Sequence, residues 1–503
     1  MISVVEMQSV MASLCLAFAV IQPMVSVEHE IPLAADDWVL EEVAPIGTQL
    51  PAGSTGRANR TSIAIDSNDE PHIAFQNVET GEIRYAHKDP SGKWQNETVT
   101  GPNIKGSFVD LELDSKDQPV VCYANLSSHG LSCAFREKSG WRYETVDDTP
   151  YSGTRLSLVL DEFDRPHLAY VAGPGHVRYS WWIGHEWNTT EVRNFALGCV
   201  GSTSLNLDYE NNAHIALVSF LPEHGLWLYV QNVSKWDVKA IDPTNRPGEI
   251  FSLVLDSHNL PHLVYGDTWR QVPRYAYNDG VLWNFRTVDA ENRSLVGSFK
   301  LDSHQSPHVA YLGYDSWDLR YAYLDNGIWK KEIVDSEGLV GFRPSLAIDS
   351  KDIPSISYLD LTDWVLMYAT KKKGIQAEID IDPDTLNLNG RGKWITCYIE
   401  LPAGYDPRDI DPNTILLNDF LKPELNPKYG FVVSESSYIV DHDEDGLPER
   451  MVKFDRSEVQ KLLSPGDSVS ITIVGQLLDG TDFEGSDEIR VIDPHQASTS
   501  ARQ

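Results

Sequence analysis

The chain has 503 residues, with 74 acidic side chains against 41 basic ones and a formal charge of −33. Affinity for nucleic acid is mostly cationic contact with phosphates, so that partner class is disfavoured, and an anionic membrane surface with it. Such acidity favours solubility and can concentrate cations such as Ca²⁺, although a solvated acidic surface is its commonest meaning.

The first element is an apolar stretch, Val10 to Val25. It is too short, and too interrupted by Gln22-Pro23, for a comfortable membrane span. Residues 1–27 read as a signal peptide, with cleavage near Val25 to Glu28. Its leading segment lacks Lys and Arg and contains Glu6. An uncleaved N-terminal anchor is the alternative, and the only route to a membrane. Six N-x-S/T sequons, at Asn59, Asn96, Asn125, Asn188, Asn232 and Asn292, fit an exported chain.

From here a repeat dominates. A hydrophobic strand ending in Asp recurs at Asp66, Asp114, Asp161, Asp208, Asp256, Asp302 and Asp349, at intervals of 48, 47, 47, 48, 46 and 47 residues. A polar turn and a Pro-His-x-x-Tyr-like strand follow each Asp, then a third strand and usually a Gly-x-Trp fourth strand. Four short strands in a period of this length predict propeller blades. The fourth-strand tryptophans are Trp94, Trp141, Trp187, Trp236, Trp283 and Trp329; Gln376 stands where a seventh is due. Trp38-Val39-Leu40-Glu41-Glu42-Val43 matches the Trp94 strand in register. The N-terminal strand is therefore expected to complete the last blade and remove the open edge of a linear array. Gln376 to Ile379 is the rival fourth strand.

Within the repeat, His72, His167, His214, His262 and His308 recur at one position. Five general bases in one chain are implausible, so a structural His bonded to a neighbouring blade's backbone is expected. A Ser four residues before the Asp recurs at Ser62, Ser157, Ser204, Ser252, Ser298 and Ser345, with Asp110 in the second blade. It reads as a hydroxyl satisfying loop backbone, or as a polar ring for water or an ion. Cys122 and Cys133 lie on neighbouring strands, where a disulfide and two buried thiols are both compatible. Cys199 and Cys397 have no evident partner, and no Cys/His spacing suggests zinc.

Function is expected where the repeats differ. Loops between strands two and three of the last three blades carry an acid with a Trp: Asp267, Trp269 and Arg270; Asp315 and Trp317; Asp360, Asp363 and Trp364. An exposed Trp stacks on sugar faces while carboxylates accept hydroxyl protons. The plainer alternative is Trp packed beneath its own loop.

The repeat stops near residue 375. Residues 375–494 read as a small β-sandwich-like domain, with strands at Lys393–Leu401, Ser468–Val474 and Glu488–Ile492. One helix, Arg456 to Leu463, is N-capped by Asp455 with Glu458 as its capping-box partner. Residues 495–503 read as a disordered tail. Asp441, Asp443 and Asp445 alternate before Gly446, as a hard oxygen-seeking cation requires. The Leu447 carbonyl and Glu449 would add ligands. Val452 stands where an EF-hand places its bidentate Glu, so a dockerin- or thrombospondin-type-3-like Ca²⁺ loop is expected, with a structural role.

The D-S-x-x-x-P-H-[IVL]-A-Y pattern with its [LI]-[RK]-Y-A and G-x-W strands resembles seven-bladed propellers of the sialidase-like, BNR-repeat-related kind across residues 37–374. The segment carrying Ile379–Leu388, Gly392–Ile395, Met451–Arg456 and Phe483–Asp487 resembles a module recurrent in secreted archaeal and bacterial proteins. That resemblance implies an appended β domain of no known catalytic role and an extracellular or cell-surface location.

The expected whole is all-β: a seven-bladed β-propeller closed by an N-terminal strand, plus the C-terminal β domain. The leading expectation is a non-catalytic binder of a glycan or protein ligand. The alternative is an extracellular carbohydrate-active enzyme. A sialidase is disfavoured, because no S-x-D-x-G-x-T-W box or arginine triad is discernible. A propeller polysaccharide lyase needs a neutraliser and a base, and Arg155, Arg270 and Arg343 lie in or beside the loop face. A His and an Arg from adjacent blades in one pocket would favour the lyase; a flat Trp-lined face would favour binding. A structural envelope or assembly protein is the third reading.

Overall fold

The structure is a computed structural model. It describes residues 38–48 and 61–493, apart from 90, 102, 174, 196–199, 221–223, 234, 243–246, 295, 373, 419 and 479–480. The apolar leader, Cys15, Asn59, Cys199 and the C-terminal tail lie outside the described residues.

The described residues before 375 form seven four-stranded antiparallel sheets. Sheets 1 to 6 begin at Thr61, Gly106, Ser152, Val200, Pro247 and Gly297, and each runs through four consecutive strands. Sheet 7 takes Phe342–Ile348, Pro354–Asp360 and Val365–Lys371, and then Trp38–Pro45 as its outer strand. Ile375–Gln376 and Glu378–Asp382 instead enter the C-terminal sheets. First strands of successive sheets contact one another in order, and sheet 7 contacts sheet 1. This cyclic order is that of a propeller. Seven buried apolar clusters lie between successive sheets, the last joining Leu366 and Tyr368 to Ile63 and Phe75.

This packing explains the strand types. Second strands are buried on both faces, which is why Pro166–Ala172 and Pro307–Gly313 read as unbroken apolar runs. Fourth strands lie outermost, and Trp94–Thr98 is half exposed.

The repeated Asp organises the turn after strand one. One carboxylate oxygen accepts two turn N–H groups, as Asp66 does from Asn68 and Glu70 at 2.8 Å each, and all seven do the same. The last turn residue is left-handed each time, from Asp69 at φ 66° to Asp352 at φ 62°. That residue joins its turn to the preceding one: Asp117 accepts from Ser67, Asp164 from Ser115, Asn259 from Tyr209, Gln305 from Ser257, Asp352 from Ser303 and Asp69 from Ser350. Asn211 completes the circle by donating to Glu162 at 3.3 Å.

The recurrent Ser forms a second circle. Its hydroxyl accepts the strand-one N–H of the next sheet: Leu111 to Ser62, Leu205 to Ser157, Leu253 to Ser204, Phe299 to Ser252, Leu346 to Ser298 and Ile63 to Ser345, at 2.9–3.3 Å. Asp110 takes the N–H of Leu158 at 2.9 Å. The innermost strand has an unpaired edge, so its N–H groups need partners. The bonded backbone is thus a neighbouring strand rather than the expected loop.

The recurrent His differs from expectation in its partner. Its Nδ1 meets the strand-three Tyr hydroxyl of its own sheet, as in His167–Tyr179 and His262–Tyr275 at 2.5 Å. Its Nε2 faces its own Asp, from 3.2 Å at Asp302 to 3.5 Å at Asp66 and Asp256. The bond to the neighbouring sheet comes from the Tyr three residues on: Tyr170, Tyr265, Tyr311 and Tyr358 donate to Asp147, Asp242, Asp289 and Asp335 of the preceding sheet. Alternation along the strand sends His and Tyr to opposite faces, so only one can face backwards.

Three sheets break the pattern. In sheet 2, Val120 replaces the His, and Cys133 takes the Tyr position and is disulfide-bonded to Cys122. In sheet 4, Leu228 replaces the Tyr, and the Nδ1 of His214 is buried without a hydrogen-bond partner. In sheet 7, Ser355 takes the His position and its hydroxyl meets that of Tyr368 at 2.9 Å.

The C-terminal residues form two facing sheets around one core. One holds Ile410–Leu417, Gly466–Leu477 and Asp482–Ile492; the other holds Glu378–Asp382, Trp394–Glu400 and Glu449–Asp455. Ile381, Ile395 and Phe454 meet Ile415, Ile473 and Phe483 between them. Cys397 is buried and free. The helix spans Arg456–Leu462, and Asp455 caps it by accepting from Ser457. Glu458 instead pairs with Lys461. Two further single-turn helices, Gly430–Val433 and Glu435–Tyr438, are present where one helix was expected. They are too short to show a helical period.

Candidate functional site

The loops between strands two and three lie on the same side as the connections between sheets. In sheet 5, the buried Asp267 accepts the N–H groups of Trp269 and Arg270, both at 2.9 Å. This fixes the loop tip, and Trp269 stands 78 % exposed beside an exposed Arg270. Trp317 is placed differently. It stacks on Phe342 at 5.4 Å and 11°, with its backbone left-handed. Trp364 packs in the apolar cluster between sheets 7 and 1. Asp360 is buried and accepts from Thr362 and Asp363, while Asp363 is exposed. Asp315 is bound by Arg293 at 2.6–2.7 Å, and Arg293 also reaches Gln271 at 3.0 Å. Arg293 thus ties two of the loops together. Sequence reasoning missed it because it lies in a connection between sheets.

Arg155 and Arg343 occur in the first strands of sheets 3 and 7. Each places Nη1 3.3 Å from a different oxygen of Glu249, in the first strand of sheet 5. These sheets are not neighbours, so the three side chains meet across the axis. The side chains are 15–22 % exposed. Pairs in contact with solvent contribute at most about 1 kcal/mol to stability.

A groove of about 460 Å³ lies between sheets 1 and 2, on the opposite side from those loops. His72, Tyr85 and His87 line it from sheet 1. His87 stacks on Tyr85 at 5.3 Å and 21°, and on His72 at 6.1 Å and 23°. Arg136 of sheet 2 pairs with Glu97 of sheet 1 at 2.8 Å across it. Asp117 stands at the rim. Burial lowers the affinity of His72 for a proton and raises the Tyr85 phenol well above its ordinary value. His72 is already held between Tyr85 and Asp66. The odd residue is His87: Phe135, Trp181, Val230, Tyr277, Tyr323 and Thr370 take its position elsewhere. Its Nδ1 is buried with no partner. A comparison of repeats could have found His87. The meeting of Glu97 with Arg136 required the packing of one sheet on the next. A groove of about 260 Å³ between sheets 3 and 4 has His167, Tyr179 and Trp181 in the corresponding places.

In the C-terminal domain, the acidic loop turns at Gly446, φ 94°, whose N–H points to Asp441 at 3.4 Å. Asp443 and Asp445 bring carboxylate oxygens within 4.8 Å of each other and of Glu400, a residue on a different strand. Burial and then the charge of Asp445 raise the Glu400 pKa. Asp441 is outside this group, Leu447 is exposed, and the Glu449 carboxylate is engaged by the His442 N–H.

No family model matches the chain, and no curated protein does. Among solved structures, an Aleuria aurantia lectin, described as a six-bladed β-propeller with a novel fucose recognition mode, is similar at 12 % identity and TM-score 0.38, covering 56 % of this chain and 96 % of the lectin. AofleA from Arthrobotrys oligospora has 12 % identity and TM-score 0.41, covering 59 % and 89 %. An ulvan lyase of a new polysaccharide lyase family has 12 % identity and TM-score 0.43, covering 66 % and 95 %. These structures do not single out the sialidase-like propellers that the repeat resembles.

Proposed function

We propose that the protein is an extracellular or cell-surface glycan-binding module, a closed seven-bladed propeller with a calcium-stabilised C-terminal domain. The groove between sheets 1 and 2 carries the reading. Its stacked rings offer an apolar floor for sugar C–H faces, and the Arg136–Glu97 pair offers a donor and an acceptor for neighbouring hydroxyls. Trp269, exposed on a fixed loop tip, is a second platform on the other side. A glycan array followed by titration calorimetry tests this. His87→Ala and Arg136→Ala each weaken binding at least tenfold while thermal unfolding stays near wild type. Unchanged binding in both would remove the groove from the reading.

A lyase is the second reading, because His87 and Arg136 come from adjacent sheets into one groove. The high pKa of Tyr85 and the commitment of His72 to Tyr85 and Asp66 make both poor bases. Incubation with anionic polysaccharides, monitored for unsaturated products, separates the readings: turnover favours the lyase.

Calcium would be held by Asp443, Asp445 and Glu400, with Asp441, the Leu447 carbonyl and Glu449 close in sequence. Hard carboxylate oxygens suit it, and a divalent ion would relieve their mutual repulsion.

A further inference from the structure

We propose that the axial cluster of Arg155, Arg343 and Glu249 is a second, anion-selective site, which takes the carboxylate of an acidic sugar in place of the Glu249 carboxylate. It is separate from the groove between sheets 1 and 2.

The geometry is that of a clamp. Two guanidinium groups from sheets 3 and 7 approach the two oxygens of one carboxylate from sheet 5, each at 3.3 Å. A planar fork matches a carboxylate better than any other side chain does. The cluster lies at the loop end of the axis. Thr154 pairs with Val171 and Pro247 with Asp267, the residues that lead into the loops, so Trp269 and Arg270 share this end.

The backbone aims the arginines inward. Arg155 and Arg343 have φ 54° and 52°, at bulges where strand one slips against strand two. A bulge re-aims the side chain it carries. Phe108 holds the same posture in sheet 2, at φ 50°. The posture therefore belongs to the scaffold, and the guanidinium is what sheets 3 and 7 add.

Ring closure does not explain these charges. Two circles of hydrogen bonds, the apolar clusters and the sheet-7 pairing already join the sheets. A partly exposed ion pair adds little to that. The chain as a whole is acidic, with a net charge of −33. At physiological salt, charges beyond about 8 Å are largely screened, so the clamp governs a bound anion while the distant acids mainly slow its approach. Glu249 is then an internal competitor.

The test uses the full chain, a galacturonic acid trimer and its methyl-esterified form. The acidic trimer binds wild type and the ester does not. Glu249→Gln, which removes the competitor's charge at equal size, tightens acid-trimer binding about tenfold. Arg155→Gln and Arg343→Gln each weaken it at least tenfold, while His87→Ala leaves it unchanged. Equal binding of acid and ester, or no gain in Glu249→Gln with folding intact, overturns the proposal. If the arginine variants change only the thermal midpoint, the cluster is a strut. If His87→Ala abolishes acid-trimer binding, the trimer sits in the groove and the axial proposal fails while the glycan reading stands.

Discussion

Trp38 stands edge-on against Tyr321, with ring centroids 5.2 Å apart at 71°, and its indole N–H donates to Glu332 at 2.9 Å, 294 residues along the chain. The same contact recurs around the circle. Trp94 meets Tyr368, Trp141 meets Tyr85, Trp236 meets Tyr179 and Trp329 meets Tyr275, at 5.3–5.8 Å. These five fourth-strand tryptophans therefore pack against the third strand of the preceding sheet, and Trp38 does so at the junction of the two chain ends of the repeat.

Trp38→Ala should destabilise the protein by about 3–5 kcal/mol, since it empties a buried aromatic site. Trp38→Phe keeps most of the apolar contact but loses the bond to Glu332, and should cost about 1 kcal/mol. Urea unfolding monitored by circular dichroism reads both. Equal effects of the two would show that the ring contact is not what holds the strand.

Leu228→Tyr should stabilise by about 1 kcal/mol, because it supplies the hydroxyl that His214 lacks. The same site holds a Tyr in five other sheets. A lower unfolding midpoint would mean that sheet 4 has repacked around Leu228 too closely to admit the ring.

Cys122–Cys133 closes a hairpin with a sequence separation of 11. Cys122→Ala with Cys133→Ser should cost about 2–3 kcal/mol, mainly through the unfolded chain. The unfolding midpoint of wild type should fall under reductant, and that of the double variant should not respond.

Acid should destabilise the protein before neutral carboxylates are reached. Burial lowers the pKa of His72, His167, His214, His262 and His308 below 6.5, with their Asp partners pulling the other way. A His with a depressed folded pKa stabilises fully above its unfolded value, and that stability is lost as pH falls below 6.5 towards the folded value. Glu112 acts in the opposite sense, because burial pushes it up to about 7 and its contribution fades as pH rises through that value. The midpoint should fall between pH 6.5 and 5, and His262→Gln, which keeps a donor and an acceptor but does not titrate, should flatten the slope. An unchanged slope would assign the acid response to other groups.

Calcium at millimolar concentration should raise the unfolding temperature, and chelation should reverse it. Glu400→Gln and Asp443→Asn should each abolish the response. Magnesium should substitute poorly, since it demands a tighter octahedral shell. Identical midpoints with and without calcium would leave the loop an acidic turn.

The repeat was legible because its residues act locally. Asp66 and its six counterparts cap their own turns, so the sequence must keep them at one spacing. Trp38 was legible for the same reason, since its strand copies the Trp94 strand. The roles of His and Tyr were not separable by spacing alone. Both repeat with the same period, and only the packing of one sheet on the next shows that Tyr170 reaches Asp147 while His167 stays within its sheet.

The sequence by itself determined four strands per unit, the turn chemistry and the strand that completes sheet 7, because these depend on neighbours within one period. The tertiary structure decided which residues meet between periods. Trp317 and Trp364 are drawn into packing while Trp269 is left exposed. Glu97 finds Arg136 across a junction, Glu400 joins Asp443 from another strand, and Arg155 meets Arg343 at one carboxylate. Cyclic packing sets those distances, and no sequence interval encodes the direction in which each sheet turns towards the axis.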